Sequence, residues 1–143
     1  MYGPGVKEKD WVTDAVITST DFYPTILEMT GLPAKPKQHL DGKSFASVLK
    51  GEGNFDRGPI FWHYPHYPNQ GGRPSGAIRS GNYKLIEFYD NGEVELYDLS
   101  KDIGEQHDLA KEQPELANIL KHEFDQWCKD IEASMPTKNP AFN

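Results

Sequence analysis

Residues 78–110 read IRSGNYKLIEFYDNGEVELYDLSKDIGEQHDLA. The β-branched and aromatic residues in AIRS, YKLIEFY and EVELYDL predict three strands. Asp90-Asn91-Gly92 predicts a hairpin turn between the last two, because Asn and Gly tolerate positive φ. The exit SKDIGEQHDLA predicts a structured loop in which Asp98 and Asp102 cap turns. Downstream, Pro114 can open a helix, and Leu116, Ile119, Leu120, Phe124, Trp127, Cys128 and Ile131 recur at helical spacing. Lys121, His122, Asp125, Gln126 and Lys129 occupy its other side. Upstream, PIFWHYPHYP is β-prone until Pro65 and Pro68 end regular structure. The class is therefore α+β: a small antiparallel sheet of about four strands packed against a C-terminal amphipathic helix.

Two short helices precede the sheet. In STDFYPTILEMTGL, Thr20 or Asp21 can cap a helix, Pro24 fits its first turn, and Gly31 suits its stop. KSFASVLKG repeats the pattern, with Phe45, Val48 and Leu49 on one side and Gly51 as its end. Residues 2–10 are expected to be irregular, and WVTDAVITS to be a short strand or extended segment. The organisation is read as residues 1–54 followed by residues 55–143.

The chain of 143 residues is long enough to bury a core. Its 15 Lys plus Arg against 22 Asp plus Glu give a net charge of −7, which would repel a phosphate backbone and argues against nucleic acid. No window approaches the roughly 20 apolar residues that span a bilayer. The start MYGPGVKEKD lacks the apolar run of a signal peptide, so no export signal is expected within it. The single cysteine, Cys128, sits on the apolar side of the last helix and reads as a buried, inert thiol.

The densest polar stretch is FWHYPHYPNQGGRP. His63 and His66 stand three apart, but Pro65 between them breaks any helical face, and no Cys or carboxylate lies nearby in sequence. One reading is an aromatic lip where Trp and Tyr stack on sugars or rings while His63, His66 and Arg73 hydrogen-bond an anionic group. The other is a strand end with solvated histidine tips. Arg79 and Lys84, beside Glu87, Glu93 and Glu95, read as cross-strand ion pairs. No nucleophile, base and oxyanion or metal site assemble from the sequence.

Four blocks in order, STDFYPTILEMTGL, LDGKSFASVLKG, AIRSGNYKLI and VELYDLSKDIGEQHDLA, resemble the C-terminal part of the arylsulfatase-like sulfatases of the alkaline phosphatase superfamily. The residues that carry the resemblance are Asp21, Pro24, Thr25 and Gly31, then Asp41 and Gly42, then Arg79, Gly81, Tyr83, Lys84 and Leu85. Leu96, Tyr97, Asp98, Leu99, Asp102, Glu105, Leu109 and Ala110 complete it. The chain departs at Ile103, where the family favours Pro, and at Asp108, where it favours Asn.

The resemblance implies a sulfuric ester hydrolase acting on aryl or carbohydrate sulfates, with residues 1–54 at the edge of the large domain and 55–143 as the C-terminal subdomain. It implies that calcium and a formylglycine belong to the large domain, with none in this chain, so that this part alone is inactive. Tyr83, Leu85, Tyr97 and Leu99 are expected in the core, and Asp102 and Glu105 as loop-ordering hydrogen-bonders. His63, His66 and Arg73 are the expected substrate contacts. Two other readings stand beside this one: a non-catalytic module binding sulfated or acidic saccharides, and a structural subunit of a split sulfatase. Uncovered Phe22, Ile26, Leu27 and Met29 would favour either disorder before residue 20 or a homodimer, which light scattering distinguishes. The resemblance also suggests an exported parent.

Overall fold

A computed structural model describes residues 5–7, 12–53, 55–69, 71–137 and 139. The chain divides into two compact units, Met1–Arg57 and Gly58–Asn143.

In the first unit a 3-10 turn, Ser19–Asp21, leads into α1, Phe22–Met29, and α2 is Ala46–Lys50. Both helices end as their glycines predict. Gly31 and Gly51 take left-handed conformations near φ 70°, and Leu32 N–H and Glu52 N–H reach back to the Leu27 and Ser47 carbonyls. The unit is knotted by Asp21, whose side chain is wholly buried. Its carboxylate accepts from Thr18 N–H, from Lys43 N–H at 2.9 Å and from Arg57 Nε at 2.9 Å. Those donors outweigh the desolvation that opposes them and hold its pKa below the ordinary carboxylate value. Thr25 Oγ1 donates to the Asp21 carbonyl and accepts from Phe45 N–H, tying α1 to the start of α2. Gly42 passes so close to the Thr20 carbonyl that a Cβ there would collide with it. Leu27 is buried beside Phe45, Ala46 and Val48, whereas Phe22 and Ile26 are exposed.

Residues 12–18 form no strand. Within them Ala15 N–H donates locally to Thr13 Oγ1. Trp11 and most of residues 2–10 lie outside the described residues.

The second unit is one four-stranded antiparallel sheet in the order β1 (Ile60–Tyr64), β2 (Ser75–Ser80), β3 (Tyr83–Phe88), β4 (Val94–Asp98), followed by α3, Pro114–Asp130. Pleating sends Phe61, His63, Gly76, Ile78, Leu85, Glu87 and Leu96 to one face, where register places Phe61 opposite Ile78, His63 opposite Gly76 and Leu85 opposite Leu96. Helix α3 covers that face with Ala117, Leu120, Phe124 and Cys128. Trp127 stacks on Phe61 with ring centroids 4.7 Å apart. Ile119 and Ile131, expected on this stripe, are exposed. Ala117 takes the inward position, and Ile131 already lies past the helix as its C-cap. The helix closes with Ala133 N–H on the Cys128 carbonyl, and Glu132 supplies the left-handed residue at φ 52° where a glycine would be easier.

The β3–β4 turn closes between Phe88 and Glu93, and its left-handed residue is Gly92; Asn91 instead contributes its side chain, accepting from Glu93 N–H. The expected ion pairs between Arg79, Lys84 and the glutamates do not form, because pleating puts Lys84 and Glu87 on opposite faces and sets Arg79 opposite Lys84. Lys84 pairs with Glu105 at 2.7 Å, Glu87 with Lys121 of α3 at 3.2 Å, and Glu93 with Arg73 at 3.1 Å. Leu85 is in the core as expected, and Tyr83 packs at its edge. Tyr97 is buried on the opposite face, its hydroxyl pKa pushed up to about 12 by burial and by Glu95. Leu99 is half-buried, away from the helix-side core.

The helix sits tightly on the sheet at Gly76: a Cβ there would meet both the Phe124 ring and the Tyr89 hydroxyl. Gly76→Ala is expected to cost about 1–3 kcal/mol by overpacking. Urea unfolding reads this as a lower midpoint at unchanged slope, and a midpoint equal to the parent's would contradict it.

Candidate functional site

β1 stops at Tyr64 because Pro65 cannot donate to a ladder, and the loop to β2 carries the histidine and arginine that the sequence singles out. Pleating separates the lip. Trp62 and Tyr64 project from the face opposite α3 and are exposed, while His63 turns toward the helix side.

There His63 is fully engaged. Its Nδ1 lies 2.7 Å from the Tyr89 hydroxyl and its Nε2 3.0 Å from the Ser134 carbonyl. A carbonyl only accepts, so Nε2 carries the hydrogen and Nδ1 accepts from Tyr89. Burial, reinforced by Cys128, Glu87 and Asp125, raises the pKa of the Tyr89 hydroxyl well above that of a free tyrosine and keeps it a donor. Cys128 itself is buried, and burial pushes its thiol up as well, the opposite of what a nucleophile needs.

Arg73 is engaged differently. Its Nη2 and Nε hold Asp90 at 2.7 and 3.0 Å, its Nη1 reaches Glu93, and its guanidinium lies 4.1 Å above the Phe88 ring. Hydrogen bonding to Arg73 holds Asp90 below its ordinary value; Glu93 is lowered first by Asn91 and then by Arg73. His66 is exposed, with its ring edge-on to Tyr64 at 5.7 Å. The structure therefore does not bring His63, His66 and Arg73 to one point. The first anchors the segment after α3, the second lies on the lip, and the third clamps the hairpin.

What these anchors frame is a cavity of about 780 Å³ lined by Tyr67, Pro74, Tyr89, Asp90, Pro136, Thr137 and Asn139. Sequence reasoning missed five of these, Tyr89, Asp90, Pro136, Thr137 and Asn139. The only local signal was a proline just past a helix end, and their meeting depends on a hydrogen bond spanning 71 positions. A second depression of about 450 Å³ lies on the other face of the sheet, with Trp62, Ile86, Leu99, Ile103 and the Lys84–Glu105 pair around it. Among the described residues no three His, Cys, Asp or Glu side chains converge to hold a metal ion. That donor set does not fit the calcium of the family the sequence resembles, and buried mid-helix Cys128 does not fit a formylglycine precursor.

Residues 1–131 match the family described as N-sulphoglucosamine sulphohydrolase, C-terminal. A sulfatase of Formosa agariphila is 36% identical over 94% of this chain and 27% of its own length. A Δ4,5-hexuronate-2-O-sulfatase of Bacteroides thetaiotaomicron is 33% identical over 82% of this chain and 24% of its own. A protein solved in complex with its substrate D-glucosamine-2-N,6-O-disulfate superposes with a TM-score of 0.64 at 28% identity, over 81% of this chain and 24% of that one. The chain belongs to the sulfatase family, in its C-terminal part, and spans about a quarter of the length of the curated relatives it matches. No helix among the described residues is long and apolar enough to cross a membrane.

His63→Ala removes the acceptor of a part-buried tyrosine hydroxyl and the donor to Ser134, at an expected cost of about 1–3 kcal/mol. Hydrogen exchange of the amides in residues 133–137 should quicken relative to the sheet. Exchange there unchanged from the parent would show that His63 does not hold the segment.

Proposed function

We propose that this chain is the substrate-facing C-terminal part of an enzyme that hydrolyses sulfate esters of saccharides. The observation that carries this is the family match across residues 1–131, supported by a hexuronate sulfatase and a glucosamine disulfate complex among the relatives. Aryl sulfates are the second substrate class consistent with the family. On this reading the nucleophile and calcium belong to the large domain of such enzymes, and this chain shapes the pocket with the loop after β1. His66 faces a substrate directly from the exposed lip; His63 and Arg73 serve it by fixing the segment after α3 and the hairpin.

A module that binds sulfated saccharides without hydrolysis is favoured by one feature, the exposed aromatics Trp62 and Tyr64 on one face of the sheet. A homodimer through the α1 surface that carries Phe22 and Ile26 is a further proposal, which a monomeric mass by light scattering would rule out.

The test is sulfate release from an aryl sulfate and a panel of sulfated saccharides by the 143-residue chain, with calcium present. No turnover is expected. Turnover that survives purification and disappears in Cys128→Ala or Ser134→Ala would overturn the assignment of the chemistry elsewhere.

A further inference from the structure

We infer that the cavity framed by Tyr67, Pro74, Tyr89, Asp90, Pro136 and Thr137 is a subsite for an uncharged, hydroxyl-rich sugar ring, distinct in its chemistry from a sulfate pocket. Its volume, about 780 Å³, lies in the range of small-ligand sites, and its lining combines apolar faces with a few polar groups. Tyr67 is 70% exposed and offers an open ring face. Tyr89 contributes its ring, while its hydroxyl hydrogen is donated to His63. Pro74 and Pro136 add rigid apolar walls, the surface on which the C–H face of a pyranose packs.

The polar groups select against anions. Asp90 is the charged residue of the lining, and a carboxylate accepts hydrogen bonds from sugar hydroxyls but repels a sulfate. Arg73 does not line the cavity; it directs Nε, Nη1 and Nη2 onto Asp90 and Glu93. That bidentate grip fixes the Asp90 oxygens in advance, with acceptor capacity remaining, while Thr137 supplies a hydroxyl that both donates and accepts. The wall bearing Pro136 and Thr137 is set by the Ser134–His63 and Ala133–Cys128 bonds, so little ordering is left for a ligand to impose.

The inference rests on the saccharide reading above for the class of ligand, and it places an unsulfated ring of such a chain here. The ¹⁵N-labelled 143-residue chain is titrated separately with cellohexaose, mannohexaose and agarohexaose, and with glucosamine-6-sulfate and inorganic sulfate. At least one neutral hexasaccharide should give saturable shifts at the amides of Tyr67, Tyr89 and Thr137, and bind more tightly than either anion. Tyr67→Ala should weaken it about threefold to tenfold with thermal unfolding unchanged, because Tyr67 packs against solvent. Shifts at these amides led by sulfate or the sulfated sugar, shifts confined to the Trp62 face, indifference to Tyr67→Ala, or no shift with any hexasaccharide would each overturn the subsite. Sulfate release by the chain alone would overturn the proposed assignment of the chemistry to the large domain and leave this titration unaffected, so the two readings fail separately.

Discussion

The absence of a side chain at residue 76 is the constraint on which the second unit depends. It lets the Phe124 ring settle onto β2 and leaves room beside it for the Tyr89 hydroxyl. The first contact seats α3 on the sheet, and the second carries the position of the hairpin base to His63 and through it to Ser134. Core packing and cavity wall are thus one assembly: the residue that seats the helix also fixes where the chain goes when the helix ends. Close approach of this kind is unforgiving, because interiors packed to crystal density have no slack in which to place one more methyl group.

The first unit is organised by polar groups instead. Its helices have eight and five residues, too short to be stable alone, and the buried Asp21 carboxylate joins them to the loop around Lys43 and to Arg57. A buried carboxylate is tolerable only when its oxygens are satisfied, and here two backbone amides and a guanidinium do so. Because its pKa is lowered in the folded state, the stability it supplies is present above the unfolded-state value and fades as pH falls through the folded one.

Much of this was legible in the sequence, and the structure gives the family residues their physical tasks. Asp21 and Thr25 bind the helices, Gly42 clears the Thr20 carbonyl, and Asp98 and Asp102 cap turns by accepting from Ser100 N–H and from Gln106 and His107 N–H. Glu105, held at φ 53°, grips Lys84. Asp108 in place of the family's Asn is explained too: its Oδ1 accepts from Leu96 and Ala110 N–H, a task either side chain performs. The structure offers no reason for Ile103 in place of Pro. Less legible were partnerships decided by the pleat and by long-range packing. Glu87 finds Lys121 on a helix, and His63 finds a carbonyl 71 positions away, because strand alternation and the exit angle of α3 decide who meets whom. Neither is written in local spacing. His63, expected as a substrate contact, ties the hairpin to the cavity wall through both ring nitrogens.

That tie is the centre of the account, and the most direct measurement of it is the tautomer of the His63 ring by ¹⁵N NMR at neutral pH. The expected result is hydrogen on Nε2, donating to the Ser134 carbonyl, with Nδ1 accepting from the Tyr89 hydroxyl. Hydrogen on Nδ1, or rapid averaging of both forms as in a solvated imidazole, would contradict it and would return His63 to the exposed lip.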